Sequence, residues 1–148
     1  MNQNLLESTF AEAQLKADIS LFNKAMSKGK RIRIFSKLRK NTRRGTNIQY
    51  HPSNCVDHPV KKLGVQSVLI DKIKPNDMKD KNFDQNFFPM NRQSQHRWMS
   101  VARARMSNVP IPAVELIKVG ENYVVLDGHH RISVARALGE QYIDAKIQ

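Results

Sequence analysis

Cysteine is almost missing from this chain: Cys55 is the only thiol in 148 residues. One thiol closes no internal disulfide and builds no zinc site, so a disulfide-stapled scaffold and a zinc module are both excluded. No stretch approaches the roughly 18 consecutive apolar residues that a membrane-spanning helix requires. The N-terminus carries Glu7, Glu12 and Asp18 and lacks an apolar leader core, so no secretory signal is expected. A cytoplasmic protein without membrane contact is the natural expectation. Internal repeats and low-complexity tracts are also missing. The most informative absence is that of acid: between Asp18 and Asp57 there is no Asp or Glu at all.

What fills that gap is positive charge. Lys24, Lys28, Lys30, Arg31, Arg33, Lys37, Arg39, Lys40, Arg43 and Arg44 accumulate there, within a chain whose net charge is +12. Residues 1–57 carry 11 basic and 4 acidic side chains, and residues 58–148 carry 14 and 9. A patch of this kind attracts polyanions by counterion release, the part of nucleic-acid affinity that ignores sequence. Nucleic-acid contact through Lys28, Lys30, Arg31, Arg33, Lys37, Arg39, Lys40, Arg43 and Arg44 is one expectation. A solubilising extension, or a handle for an acidic protein, is the alternative. No helix-turn-helix pattern and no aromatic–basic interleaving is present, so base-specific recognition is not indicated.

A length of 148 residues suits one hydrophobic core. Apolar residues at Leu6, Phe10, Ala13, Ala17, Leu21 and Ala25, with Ile19 and Phe22 beside them, predict a helix over 5–26. Gly29 is expected to stop it, and a short helix is expected over 32–38. Residues 41–59 are rich in turn signals and read as a linker or extended arm. From Val65 to Ile73 the β-branched alternation predicts a strand. A polar loop over 79–93 holds Phe83, Phe87 and Phe88. A helix over 95–106 follows, with Trp98 as a core residue. Val109-Pro-Ile-Pro112 then introduces an extended run over 113–119, a turn at Gly120 and a strand over 123–126. A helix over 131–138 and a strand over 142–147 complete the order. The expected fold class is α+β, a mixed sheet with packed helices. It is divided into an N-terminal helical, basic arm and linker (1–59) and a domain over 60–148.

The segment that carries chemistry is Tyr123-Val-Val-Leu-Asp-Gly-His-His-Arg-Ile-Ser-Val-Ala-Arg-Ala-Leu-Gly139. It reads as a strand passing through one glycine into a helix N-terminus. Amides at such an end lack intrahelical acceptors, and the helix dipole adds positive potential, which suits a phosphate. Gly128 permits close backbone approach, while His129, His130 and Arg131 supply further donors. Asp127 is placed to cap the turn, hold a histidine tautomer or help bind a divalent cation. The plainer alternative is an ordinary Asp-Gly turn with solvated histidines and Arg131 in an ion pair with Asp127 or Asp144.

This stretch resembles the ParB/sulfiredoxin superfamily, whose members place a Gly-(polar)-(His/Arg)-Arg turn between a strand and a helix. The resemblance runs over 64–147. It includes Val68-Leu-Ile-Asp-Lys-Ile-Lys-Pro-Asn76, Phe83-Asp84, Pro112-Ala-Val-Glu-Leu116 and Ser133-Val-Ala-Arg-Ala-Leu-Gly139, and looks most like proteins labelled ParB-like nuclease domains. It implies a nucleoside triphosphate site, for CTP or ATP, gripped by Gly128, His129, His130 and Arg131, with Mg²⁺ as the implied metal and Asp127, His129 and His130 as catalytic candidates. Asp127-Gly-His129 also looks like the turn of free-serine kinases. Neither position 129 nor 130 is cysteine, so sulfiredoxin chemistry is not expected. Partition ParB continues into a helix-turn-helix domain, whereas this sequence ends at Gln148, so centromere recognition is not expected either.

Four functions follow from these features. The first is a nucleotide-binding module that hydrolyses or transfers phosphate and touches nucleic acid through its arm. The others are a nuclease acting on a phosphodiester at Asp127, His129 and His130, a small-molecule kinase, and a non-enzymatic DNA-associated protein. Asp84 and Asp80 are loop carboxylates that suit Mg²⁺ or a general base. Arg92, Arg97 and their neighbours precede or open a helix and could reach the same phosphates. His51 and His58 show no metal-ligand spacing. A homodimer is left open.

Overall fold

The computed structural model describes residues 3–39, 64–76 and 81–148. The expected linker over 41–59, and Lys40, Arg43, Arg44, Cys55 and Asp80, lie outside the described residues, as does the side chain of Arg39. The elements are α1 (Gln3–Arg39), β1 (Val65–Leu69), β2 (Ile73–Lys74), α2 (Gln95–Met106), β3 (Val114–Val119), β4 (Asn122–Asp127), α3 (His129–Ala137) and β5 (Tyr142–Ile147). The architecture is α+β, with one five-stranded mixed sheet in the order β1-β5-β3-β4-β2. β1 and β5 pair antiparallel, as do β3 and β4, while β3 with β5 and β2 with β4 run parallel.

The strand expected over 65–73 is broken by a 3₁₀ turn at Ile70–Lys72. That turn carries the chain from one edge of the sheet to the other. The four residue steps from Leu69 to Ile73 span at most about 14 Å. The outer strands of a flat five-stranded sheet would stand about 19 Å apart. The sheet is therefore coiled, its edges drawn together. Ile70 anchors the turn through its N–H to the Gln141 carbonyl at 2.9 Å, and both Ile70 and Ile73 are buried.

β5 shows the period-two logic cleanly: Ile143, Ala145 and Ile147 face the core, and Tyr142, Asp144 and Lys146 face solvent. The first core cluster joins these residues to Val114, Leu116, Val125 and to Ile132 and Ala135 of α3. A second cluster gathers Phe22 and Ala25 of α1, Phe83 and Phe88 of the loop, Trp98, Met99 and Ala102 of α2, and Val134. α3 thus contributes to both clusters. Trp98 is a core residue, as expected. Its ring meets Phe22 edge-on at 5.4 Å, and its indole N–H donates to Ser133 Oγ at 2.8 Å.

α1 corrects two expectations. The separate helices over 5–26 and 32–38 are one helix, and Gly29 lies inside it. The glycine is there for contact, not for a cap: a Cβ at Gly29 would lie 2.4 Å from Phe88 Cβ. The docking face is also shifted. Asp18, Phe22, Ala25 and Gly29 are buried at four-three-four spacing, whereas Phe10, Ala13 and Ala17 are exposed. Asp18 is fully buried and is satisfied by Arg103 of α2, whose Nε lies at 3.1 Å, and by Gln14 Nε2 at 3.0 Å. No helix among the described residues is long and apolar enough to cross a membrane.

This docking reverses the usual sign of a glycine substitution. In a solvated helix Gly→Ala gains roughly 0.5–1 kcal/mol. Here Gly29→Ala is expected to destabilise by about 1–3 kcal/mol, because the new methyl group overpacks against Phe88. Urea denaturation measures it, and a stabilised variant would show that α1 does not dock at this point.

Candidate functional site

β4 enters α3 through Gly128, whose φ of 113° lies in the region glycine favours. A Cβ there would also lie 2.6 Å from Val114 Cγ1, so both conformation and space exclude a side chain. α3 begins at His129, two residues earlier than expected, which puts both histidines in its first turn. The first α-helical bond runs from the Ile132 N–H to the Gly128 carbonyl at 3.0 Å. The amides of residues 129–131 accordingly have no acceptor within the helix. This end of α3 borders a cleft of about 650 Å³, bounded by Arg97 and Val101 of α2, by 111–113 and Glu115, by 126–131, and by Lys146 of β5.

Arg131 does not project freely into this cleft. Its Nη1 donates to the carbonyls of Pro112 and Ala113 at 2.7 and 2.8 Å, and its Nη2 pairs with Asp127. The guanidinium thereby ties α3 to the segment preceding β3. The ion pair with Asp127, foreseen as the plainer alternative, is the arrangement present.

The two histidines are turned toward the 81–90 loop. His129 is buried, with its ring 6.5 Å from Phe83 in a stacked arrangement and 6.1 Å from Phe87. Its Nε2 accepts a long hydrogen bond, 3.4 Å, from the Asn76 N–H. That bond requires a neutral ring at Nε2, with the proton on Nδ1. His130 is half-buried and meets Phe83 edge-on at 4.9 Å. Of the candidates Gly128, His129, His130 and Arg131, all four border the cleft.

Asp84 and Arg92 do not join them. Asp84 is buried in its own turn, where Oδ1 accepts from the N–H groups of Asn86 and Phe88, each at 2.9 Å, and Oδ2 pairs with Arg33 at 2.6 Å. Arg92 is exposed and does not line the cleft, while Arg97 does. Of the basic residues on α1, Lys16, Lys24, Lys28, Lys30, Arg31 and Lys37 are exposed. Lys28 lies over the Phe88 ring at 5.5 Å.

Sequence reasoning missed Lys146 and Glu115, cross-strand neighbours in the β3–β5 register. Period-two alternation along β5 could have placed Lys146 on the outer face; nothing local tells that this face borders Gly128. Among the described residues, neither Arg97 nor Lys146 forms an ion pair. No group of three or more His, Cys, Asp or Glu among them is placed to hold a metal ion. The donor set does not fit a resident Mg²⁺, which needs oxygen ligands: Asp127 is engaged by Arg131 and Asp84 faces the other way.

No protein-family model matches the sequence, and no curated protein matches it. Solved structures similar to this one include sulfiredoxin from Arabidopsis thaliana, at 20% identity and TM-score 0.43, covering 57% of this chain and 84% of that one. A free serine kinase in complex with AMP is similar at 23% identity and TM-score 0.43, covering 64% of this chain and 34% of that one. C-terminally truncated ParB from Caulobacter crescentus, complexed with CTP-gamma-S, is similar at 11% identity and TM-score 0.43, covering 57% and 44%. This chain thus spans about a third of the kinase's length.

The bonding of Arg131 sets the expected behaviour of its variant. Charge-assisted hydrogen bonds contribute roughly 1.5–3 kcal/mol each, and removal leaves two carbonyls and Asp127 without their donor. Arg131→Ala should therefore lower stability by about 2–4 kcal/mol, read by chemical denaturation. An unchanged melting curve would mean that the guanidinium is not a tie in solution.

Proposed function

We propose that the cleft at the start of α3 binds the phosphates of a nucleoside triphosphate, CTP or ATP, and that the exposed basic face of α1 contacts nucleic acid. The observation that carries the first part is the Gly128 turn. It brings the start of α3, with the positive end of its dipole, to the border of a 650 Å³ cleft that Arg97 and Lys146 also line. The resemblance of Asp127-Gly-His-His-Arg131 to the superfamily's phosphate turn supports a nucleotide over a bare anion. Any Mg²⁺ arrives with the phosphates, since the described residues assemble no cage for it.

Binding is better supported than phosphodiester cleavage. A general base must reach the proton that it takes. Asp127 is paired with Arg131, and His129 is turned toward Asn76. For the second part, Lys30, Arg31 and Lys37 lie exposed on one long helix, where unpaired cations release counterions from a polyanion.

Equilibrium binding of the full chain to the four NTPs with Mg²⁺, with and without duplex DNA, tests both parts. CTP or ATP should bind at millimolar concentration or tighter, and DNA affinity should fall steeply with salt. No NTP binding at millimolar concentration would overturn the first part. DNA affinity unchanged by combined Lys30→Ala, Arg31→Ala and Lys37→Ala substitution would overturn the second.

A further inference from the structure

The 81–90 loop stands between α1 and the histidines, and one buried carboxylate determines its shape. Asp84 closes the turn with its backbone, through its N–H to the Phe88 carbonyl at 3.0 Å and its carbonyl to the Phe87 N–H at 2.8 Å. Its Oδ1 holds the amides of Asn86 and Phe88. The turn is tight enough to force Phe87, a fully buried residue, to a φ of 61°, a conformation that persists only where surrounding contacts over-determine it. A buried carboxylate is tolerated only when paired, and the pairing cation is Arg33 of α1 at 2.6 Å. One turn of α1 earlier, Gly29 lies against Phe88 of the same loop. On its far side the loop presents Phe83 to His129 and His130.

We propose that Arg33 is a positioning residue for the histidine pair of α3, acting through Asp84 and Phe83 without touching the ligand. Its charge is directed inward. It therefore differs from Lys30, Arg31 and Lys37, exposed on the same helix, with which the sequence pattern groups it. Loss of Arg33 leaves Asp84 buried without its cation, the turn opens to hydrate it, and Phe83 leaves the imidazoles. The effect on ligand affinity rests on the phosphate-binding reading; the effect on the histidines does not.

The test uses the full chain and records the imidazole proton resonances of His129 and His130, which the Phe83 ring current displaces. Phe83→Leu supplies the reference spectrum without that ring. Arg33→Ala should move both resonances toward the Phe83→Leu positions, Arg33→Lys should restore them in part, and Lys37→Ala should leave them in place. Circular dichroism confirms that each variant is folded. Should Arg33→Ala unfold the chain, Arg33→Lys alone, with smaller shifts in the same direction, carries the test. Resonances unmoved in folded Arg33→Ala, or moved equally by Lys37→Ala, would overturn the proposal. CTP titration of the same samples should show affinity about fivefold or more weaker in Arg33→Ala. If wild type binds no nucleotide, the phosphate-binding reading fails while the resonances still decide the role of Arg33.

Discussion

The backbone at Gly128 runs so close to Val114 that one added carbon would fall 2.6 Å from Cγ1, and its left-handed turn points β4 directly into α3. Much at the site follows from that contact. It brings the start of α3 beside the start of β3, which puts Arg131 within reach of the Pro112 and Ala113 carbonyls. It also sets the open end of the helix between α2 and the outer face of β5, where Arg97 and Lys146 stand. A longer or bulkier connection would move the helix away from the sheet and dissolve both arrangements.

The elements legible in the sequence are those written in local signals. The helix over 95–106, the hairpin turning at Gly120 and the strand over 142–147 stand where periodicity and turn residues place them. The Asp-Gly turn before α3 is likewise readable, because a glycine between a β-branched run and a small-residue helix is a local pattern. The illegible features are decided at long range. Gly29 carries the usual helix-stop signal, yet contact with Phe88 some sixty residues on makes it a docking point. The 65–73 alternation gives no hint that Ile70–Lys72 must turn the chain across a coiled sheet. The orientation of His129 was equally hidden, since it depends on Asn76 and on Phe83 and Phe87 from the folded-over loop.

Charge divides by residue type. The five ion pairs among the described residues all use arginine: Arg33 with Asp84, Arg103 with Asp18, Arg105 with Glu140, Arg131 with Asp127 and Arg136 with Asp71. A planar guanidinium matches a carboxylate in a fixed fork and is weakly hydrated, so it suits half-buried ties, while the ammonium of lysine favours water. Much of the outward-facing positive charge of α1 is consequently lysine, at Lys24, Lys30 and Lys37, with Arg31 beside them. Counting basic residues along α1 overstates the surface available to a polyanion, because Arg33 is turned inward to Asp84.

That same division bears on what the cleft does. An anion bound as proposed would meet the start of α3, Arg97 and Lys146, which stabilise negative charge. Two bordering groups able to move a proton are engaged, Asp127 by Arg131 and His129 by Asn76 and two phenyl rings, while His130 borders the cleft half-buried. The binding function proposed above, in preference to cleavage, rests on those engagements of Asp127 and His129. The two histidines pack the first turn of α3 against the 81–90 loop through Phe83.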